Sequence, residues 1–288
     1  MNRSFLFVPG DSERKLAKAR ESAADALIID LEDSVASSAR PAARTLLGEF
    51  LGNDADMELW VRINPLQSED ALLDLRAAYP GAPAGIVLPK AAGARDVEEL
   101  SQLLDALESE HGIPLGQTRV LPIVTERPDA LFRLHEYAEC GERLVAMSWG
   151  AEDLSAAVGA SRNRDDDGQW LPPYQLARSL CLFGAAGAGV AAIDTVFTNF
   201  SDAAGLERYA SDARRDGFSG MLAIHPAQVD AINAAFTPAA TEIERAQRIV
   251  ALFAATPEAG TLGMDGEMID KPHLVQAQRI LEQARKQR

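Results

Sequence analysis

Acidic residues recur directly behind short apolar runs: Ala26-Leu-Ile-Ile-Asp30-Leu-Glu32-Asp33, Leu121-Pro-Ile-Val-Thr-Glu126, and Leu144-Val-Ala-Met-Ser-Trp-Gly-Ala-Glu-Asp153. Bounded apolar runs of this length read as buried strands. Carboxylates just past their C-terminal ends therefore gather on one rim of a sheet or barrel, where they can hold a divalent cation. Glu126 and Asp153 are read as the metal ligands. Two carboxylates leave most of the oxygen shell to water and substrate, the arrangement that Mg²⁺ prefers to an all-protein cage. The competing role for Asp153 is to cap the helix that Ala151-Glu152-Asp153 opens.

Cations fall at the same kind of position. Arg62 closes the run Leu59-Trp-Val-Arg62. Its planar fork can grip a carboxylate with two hydrogen bonds and steady negative charge growing on an enolate oxygen. Pairing with a neighbouring acid is the alternative. Glu32 and Asp33 are read as supports that accept hydrogen bonds from metal-bound waters and from Arg62, with Asp30 structural; a solvated acidic loop is the competing reading. Lys90, after Gly85-Ile-Val-Leu-Pro89, either touches a substrate carboxylate or forms an ion pair with Glu32 or Asp33. His225, ahead of Pro226, reads as a packed, hydrogen-bonded histidine rather than a base.

Positioning these groups takes regular alternation of short strands and amphipathic helices. Strands are predicted at Ser4–Val8, Ala26–Asp30, Leu59–Ile63, Gly85–Leu88, Val120–Val124, Leu144–Ser148, Ala192–Thr198 and Met221–Ile224, with helical patterns such as Glu13–Ser22, Ala94–Glu110 and Pro172–Ala186 between them. Eight such units would close a TIM-type (β/α)₈ barrel, whose chemistry sits at the C-terminal ends of its strands. The spacing of Asp30, Arg62, Lys90, Glu126, Asp153 and His225 by about one βα unit favours the barrel over an open, doubly wound sheet. Residues 1–256 are assigned to the barrel and 257–288 to a helical C-terminal extension that docks on a neighbouring subunit. The run Gly184-Ala-Ala-Gly-Ala-Gly189 follows a helix and precedes a strand, the reverse of the dinucleotide-loop order.

A formal net charge of -15 argues against binding nucleic acid or an anionic membrane, because phosphate binding rests on Lys and Arg. The apolar run Phe5-Leu-Phe-Val8 is stopped by Pro9-Gly10, too soon for a secretory leader or a membrane span, and a cytoplasmic protein is expected. Cys140 and Cys181 have no motif spacing and read as buried small apolar residues.

Taken together, Leu6-Phe-Val-Pro-Gly10, Ile29-Asp-Leu-Glu-Asp33-Ser-Val35, Val61-Arg62-Ile-Asn64, Leu88-Pro-Lys90, Trp149-Gly-Ala-Glu-Asp153-Leu, Ala223-Ile-His225-Pro-Ala-Gln-Val229 and Met268-Ile-Asp270 resemble the citrate lyase β-subunit family of the HpcH/HpaI aldolase superfamily. The resemblance runs in order along almost the whole chain. It implies a Mg²⁺-dependent carbon–carbon lyase acting on a 3-hydroxyacyl-CoA such as malyl-CoA or citramalyl-CoA, releasing acetyl-CoA and a small 2-keto acid. It also implies that Asp270 reaches the active site of a neighbouring subunit, and hence a homotrimer or a multiple of it. Where the family motif continues after Glu126 with Thr or Ser, this chain has Arg127-Pro128. Arg14, Lys15, Lys18 and Arg20 on the first helix are candidates for the coenzyme A phosphates, or else form a solvated helix face. Three other activities fit the same motifs: a (3S)-malyl-CoA thioesterase, the β subunit of a citrate lyase acting on an acyl carrier protein thioester, and a barrel that binds acyl-CoA without turning it over.

Overall fold

The computed structural model describes residues 2–52 and 57–286. The first half runs β1 (Ser4–Pro9), α1 (Glu13–Arg20), β2 (Ala26–Asp30), α2 (Arg40–Leu51), β3 (Glu58–Arg62), α3 (Glu69–Ala78), β4 (Gly85–Leu88), α4 (Ala94–His111) and β5 (Arg119–Pro122). A 3-10 helix (Ala130–Glu139) follows, then β6 (Ala146–Ser148), α5 (Ala151–Ala157), α6 (Pro172–Gly187), β7 (Ala191–Asp194), α7 (Ala203–Asp216), β8 (Gly220–Ala223), α8 (Val229–Ala235) and α9 (Ala240–Ala255). The chain ends in β9 (Thr261–Met264), β10 (Glu267–Asp270) and α10 (Lys271–Lys286).

Strand neighbours follow the order β5-β4-β3-β2-β1-β8-β7-β6, with every pair parallel. Parallel bridges Val120–Leu144 and Ile123–Ser148 join the two ends, so the sheet closes into the expected (β/α)₈ barrel rather than remaining open. Because side chains alternate along a strand, each run divides its residues between two cores. Phe5, Ile28, Trp60, Val87, Leu121, Ile193 and Leu222 fill the barrel interior. Leu6, Leu27, Ile29, Val61, Ile86, Val120 and Met147 face the helices. Trp60 takes so much of the interior that its neighbour on β4 must be Gly85, where a Cβ would lie 2.3 Å from the indole.

Two boundaries differ from the sequence expectation for local reasons. The strand predicted over Ala192–Thr198 stops at Asp194, whose carboxylate accepts the backbone N–H of Thr195 at 2.8 Å and turns the chain out of the ladder. Leu144 keeps only its bridge to Val120, and regular pairing resumes at Ala146. The glycine-rich run lies at the end of α6, as its order in the sequence implies. Cys181 is buried, but Cys140 is only half-buried, its Sγ 3.9 Å from the Ala94 carbonyl, because it sits where the 3-10 helix gives way to a surface turn.

The C-terminal segment packs on its own chain. Ala246, Ile249 and Phe253 of α9 share a small core with Met264, Ile269 and Ala277, separate from the two barrel cores. Pro272 stands in the first turn of α10, where a missing N–H costs nothing. Among the described residues, no helix is long and apolar enough to cross a membrane.

Candidate functional site

The alternation that buries Ile28 and Trp60 inside the barrel brings Asp30 and Arg62, two residues further on, to the same inward face. They are direct partners in the β2–β3 register. Arg62 donates Nε to Asp30 Oδ1 at 2.7 Å and Nη2 to Oδ2 at 2.6 Å, and its guanidinium carbon sits 4.7 Å from the centre of the Phe7 ring. The Asp30 carboxylate also accepts the N–H groups of Glu32 and Ser34, which folds the β2–α2 loop back over the mouth. Burial pushes the Asp30 carboxyl up, but Arg62 and these N–H groups outweigh it and hold it below the usual range. Asp30 is therefore the partner that fills the guanidinium fork. The two-toothed grip expected of Arg62 on a ligand is made with this carboxylate instead, and Nη1 is the remaining edge, 3.1 Å from Glu32 and 3.8 Å from Asp33.

Lys90 enters from the end of β4. It is one of the few non-glycine residues with positive φ, +54°, a conformation that L side chains adopt only where the surroundings impose it. The twist lets one residue serve two acids, since its backbone N–H bonds to Glu126 Oε2 and its ammonium to Glu32 Oε1. The ammonium also lies 3.5 Å from Asp33 and 3.4 Å from Asp153.

Glu126 follows β5 and is 4% exposed, whereas the Asp153 side chain, from the first turn of α5, is 36% exposed. Gly150 lies between them, where a Cβ would come within 2.6 Å of Glu126 Cγ, so the backbone of this loop rests directly on the Glu126 side chain. Its N–H is donated to Thr125 Oγ1 at 3.1 Å. Asp153 is the third residue of α5, whose N-cap is Gly150, and it stands with Glu152 as an acid in the first turn of that helix. Burial, and then the charge of Asp153, push the Glu126 carboxyl up to about 8 against the pull of the Lys90 N–H. Glu32 is likewise raised, mainly by burial, although Arg62 and Lys90 oppose it. Its buried Oε2 accepts no aligned hydrogen bond.

Acids thus outnumber cations at the mouth. Two close carboxylates, one buried and one facing solvent, together with an under-used buried oxygen form a donor set that a hard cation with water ligands fits. Among the described residues, no group of three or more His, Cys, Asp or Glu side chains is placed to hold a metal ion, so protein ligands alone would not complete its shell.

Glu32, Asp33, Arg62, Lys90, Glu126 and Asp153 come together at this rim. The other sequence candidates lie elsewhere. Arg14, Lys15 and Lys18 are exposed on α1. Arg20 packs over the Phe50 ring at 4.0 Å and donates to the Phe50 carbonyl. Asp270 ends β10 and lies 2.6 Å from His273 Nδ1 of its own tail. His225 is not packed but exposed, stacked on the exposed Phe200 ring at 5.3 Å, because the turn at Pro226 carries it out of the barrel. Its Nδ1 does accept a hydrogen bond, from the Ala227 N–H.

The model of the family HpcH/HpaI aldolase/citrate lyase matches residues 3–226. The citrate lyase subunit beta of Leuconostoc mesenteroides subsp. cremoris is 32% identical over 288 residues, covering 99% of this chain and 93% of that protein. The (3S)-malyl-CoA thioesterase of Cereibacter sphaeroides (strain KD131 / KCTC 12085) is 35% identical over 287 residues, covering 98% and 94%. Among solved structures, protein CitE from Mycobacterium tuberculosis, in complex with magnesium, acetoacetate and coenzyme A, superposes with a TM-score of 0.80 at 33% identity, covering 98% of this chain and 97% of that one. The same protein has also been crystallised with magnesium and pyruvate (TM-score 0.74, 31% identity, 97% of each chain). A closed barrel, a rim of paired carboxylates and similarity along nearly the full length lead to one conclusion: the chain belongs to the HpcH/HpaI aldolase/citrate lyase family.

Proposed function

We propose that the protein is a Mg²⁺-dependent carbon–carbon lyase that cleaves, or in reverse forms, a 3-hydroxyacyl-CoA such as malyl-CoA or citramalyl-CoA, with acetyl-CoA and a 2-keto acid as the other side of the reaction. The observation that carries this reading is the meeting of Glu126, Asp153, Arg62 and Lys90 at one barrel rim with acid in excess. The magnesium, keto acids and coenzyme A bound by the CitE relative support it. Mg²⁺ held by Glu126 and Asp153 would stabilise negative charge on substrate oxygens. Arg62, locked by Asp30, offers its Nη1 edge to a substrate carboxylate or to charge growing on the thioester oxygen. Glu32 and Asp33 keep Arg62 and Lys90 in place.

Cleavage needs a base for the hydroxyl proton. As that proton leaves, the bond between the hydroxyl-bearing carbon and the thioester α-carbon breaks. The electron pair passes to the thioester as an enolate, which takes up a proton to become acetyl-CoA. Asp270 of a neighbouring subunit is assigned this role, in a homotrimer or a multiple of it, and Arg14, Lys15 and Lys18 are assigned to the coenzyme A phosphates. Mixing inactive Asp270→Ala subunits with inactive Asp153→Ala subunits tests the shared site. Partial activity should return in the mixed oligomer, and mixtures that stay dead despite proven subunit exchange would rule the arrangement out.

The thioesterase reading has its own support in the 35% identity to the Cereibacter sphaeroides enzyme. Incubating acetyl-CoA and Mg²⁺ with glyoxylate, pyruvate or oxaloacetate, and malyl-CoA alone, with mass spectrometry of the products, separates the activities. A lyase forms an adduct with one keto acid and releases acetyl-CoA from malyl-CoA. Free coenzyme A and malate without acetyl-CoA would make the protein a thioesterase. Stable co-purification with acyl-carrier subunits would instead assign it to a citrate lyase complex, and binding without product would leave a non-catalytic barrel.

A further inference from the structure

We propose that Asp194, which lies outside the barrel at the end of β7, is a positioning residue for the mouth carboxylates and acts through Trp149; this rests on the reading that Glu126 and Asp153 take a divalent cation. Its neighbour Ile193 fills the barrel interior, so alternation turns Asp194 into the layer between strands and helices, where apolar residues are the rule. There it is fully buried and accepts hydrogen bonds from three side chains, on α6, on α7 and in the loop between β6 and α5. Trp149 Nε1 donates at 2.6 Å, Tyr209 Oη at 3.0 Å, and Arg178 at 3.0 Å through Nε and 2.8 Å through Nη2.

Arg178 on α6 and Tyr209 on α7 hold the carboxylate from behind, and Trp149 is the group it holds in front. The indole is fully buried and packs edge-on against Trp170 at 5.0 Å. If the ring turned, its N–H would be left unpaired in a dry layer, which is costly. The next residue is Gly150, the backbone that rests against Glu126 Cγ, and three residues further on is Asp153. One hydrogen bond behind the barrel wall therefore sets the wall of the Glu126 pocket and the take-off of the helix turn that carries Asp153. Outer partners of this kind typically change metal affinity 10- to 100-fold when removed.

Trp149→Phe tests this, because it keeps an apolar ring and removes the N–H. Mn²⁺ binding is read by electron paramagnetic resonance, and amide exchange over residues 149–153 by mass spectrometry, with Tyr79→Phe as control. That control removes a buried hydrogen bond, Tyr79 Oη to Thr118 Oγ1 at 3.0 Å, at the opposite end of the barrel. Trp149→Phe should raise the Mn²⁺ Kd about tenfold or more and speed exchange in the segment, while Tyr79→Phe leaves both unchanged. A Trp149→Phe Kd within about twofold of the unaltered protein, set against the outer-partner range, would overturn the proposal. So would unchanged exchange over residues 149–153, whether or not Mn²⁺ binds. Failure of the unaltered protein to bind Mn²⁺ would instead refute the metal reading. Should Trp149→Phe not fold, Asp194→Asn, isosteric and neutral, is judged by the same two measurements.

Discussion

The barrel carries buried ionic clusters at both ends, and they are built to opposite specifications. Beneath the barrel, Glu108 of α4 accepts two hydrogen bonds from Arg143, at 2.9 and 2.6 Å, and the backbone N–H groups of Thr118 and Gly116 at 2.8 and 2.7 Å. Burial raises this carboxyl, but its partners outweigh the cost and bring it down to about 2. At the mouth, Glu126 receives one backbone N–H, faces Asp153, and stands at about 8. A satisfied acid fastens β5 and β6 to α4, and an under-satisfied one is left with capacity for a ligand. Perturbation in the direction of unrelieved charge marks the functional end.

The sharpest test of this contrast is to neutralise each glutamate in turn. Glu126→Gln should lower lyase activity by about 10³-fold or more, the loss expected when stabilisation of transition-state charge is removed. Its melting temperature should not fall, because the amide oxygen can still accept the Lys90 N–H and a neutral group suits this buried site beside Asp153. A large stability loss in Glu126→Gln would erase the contrast. Glu108→Gln should do the reverse: a loss of about 3 kcal/mol in urea unfolding, the cost of stranding a buried partner, with Mn²⁺ affinity unchanged.

The pH dependence sharpens the comparison further. Glu108 has a folded-state value depressed below its ordinary one, so its contribution is full above about pH 4.5 and is lost as pH falls toward about 2. With the side chain fully buried, about 3 kcal/mol should disappear across that window. Urea unfolding of Glu108→Gln should lack this step, and an unaltered step would assign it to another acid. The smallest expected effect is at Arg62→Lys, which keeps the charge but cannot serve both Asp30 oxygens at once. A drop of about 10- to 100-fold in kcat/KM, carried mainly by the keto-acid KM, is expected. Unchanged keto-acid affinity by calorimetry would remove Arg62 from substrate binding.

Most of the rim was legible before the structure because strand-end position and residue type coincide. Arg62, Lys90, Glu126 and Asp153 each follow a recognisable apolar run. Asp194 closes a run of the same kind, Ala191-Ala-Ile-Asp194, but the apolar pattern continues past it to Thr198, so nothing local in the sequence marks it as a strand end. The left-handed turn at Lys90 has no signature, since lysine gives no hint of positive φ. Asp30 reads from the sequence as structural, but that it fills the Arg62 fork follows only from the register between two strands.

Alternation and periodicity are properties of neighbouring residues, so the chain by itself determined the βα repeat, the barrel and which residues reach the rim. Which acid pairs with which cation, which carboxylate is left with spare capacity, and that Asp194 stands behind Trp149 were decided only by the tertiary structure. Those outcomes depend on contacts across the barrel wall and on desolvation, which residues distant in sequence create together.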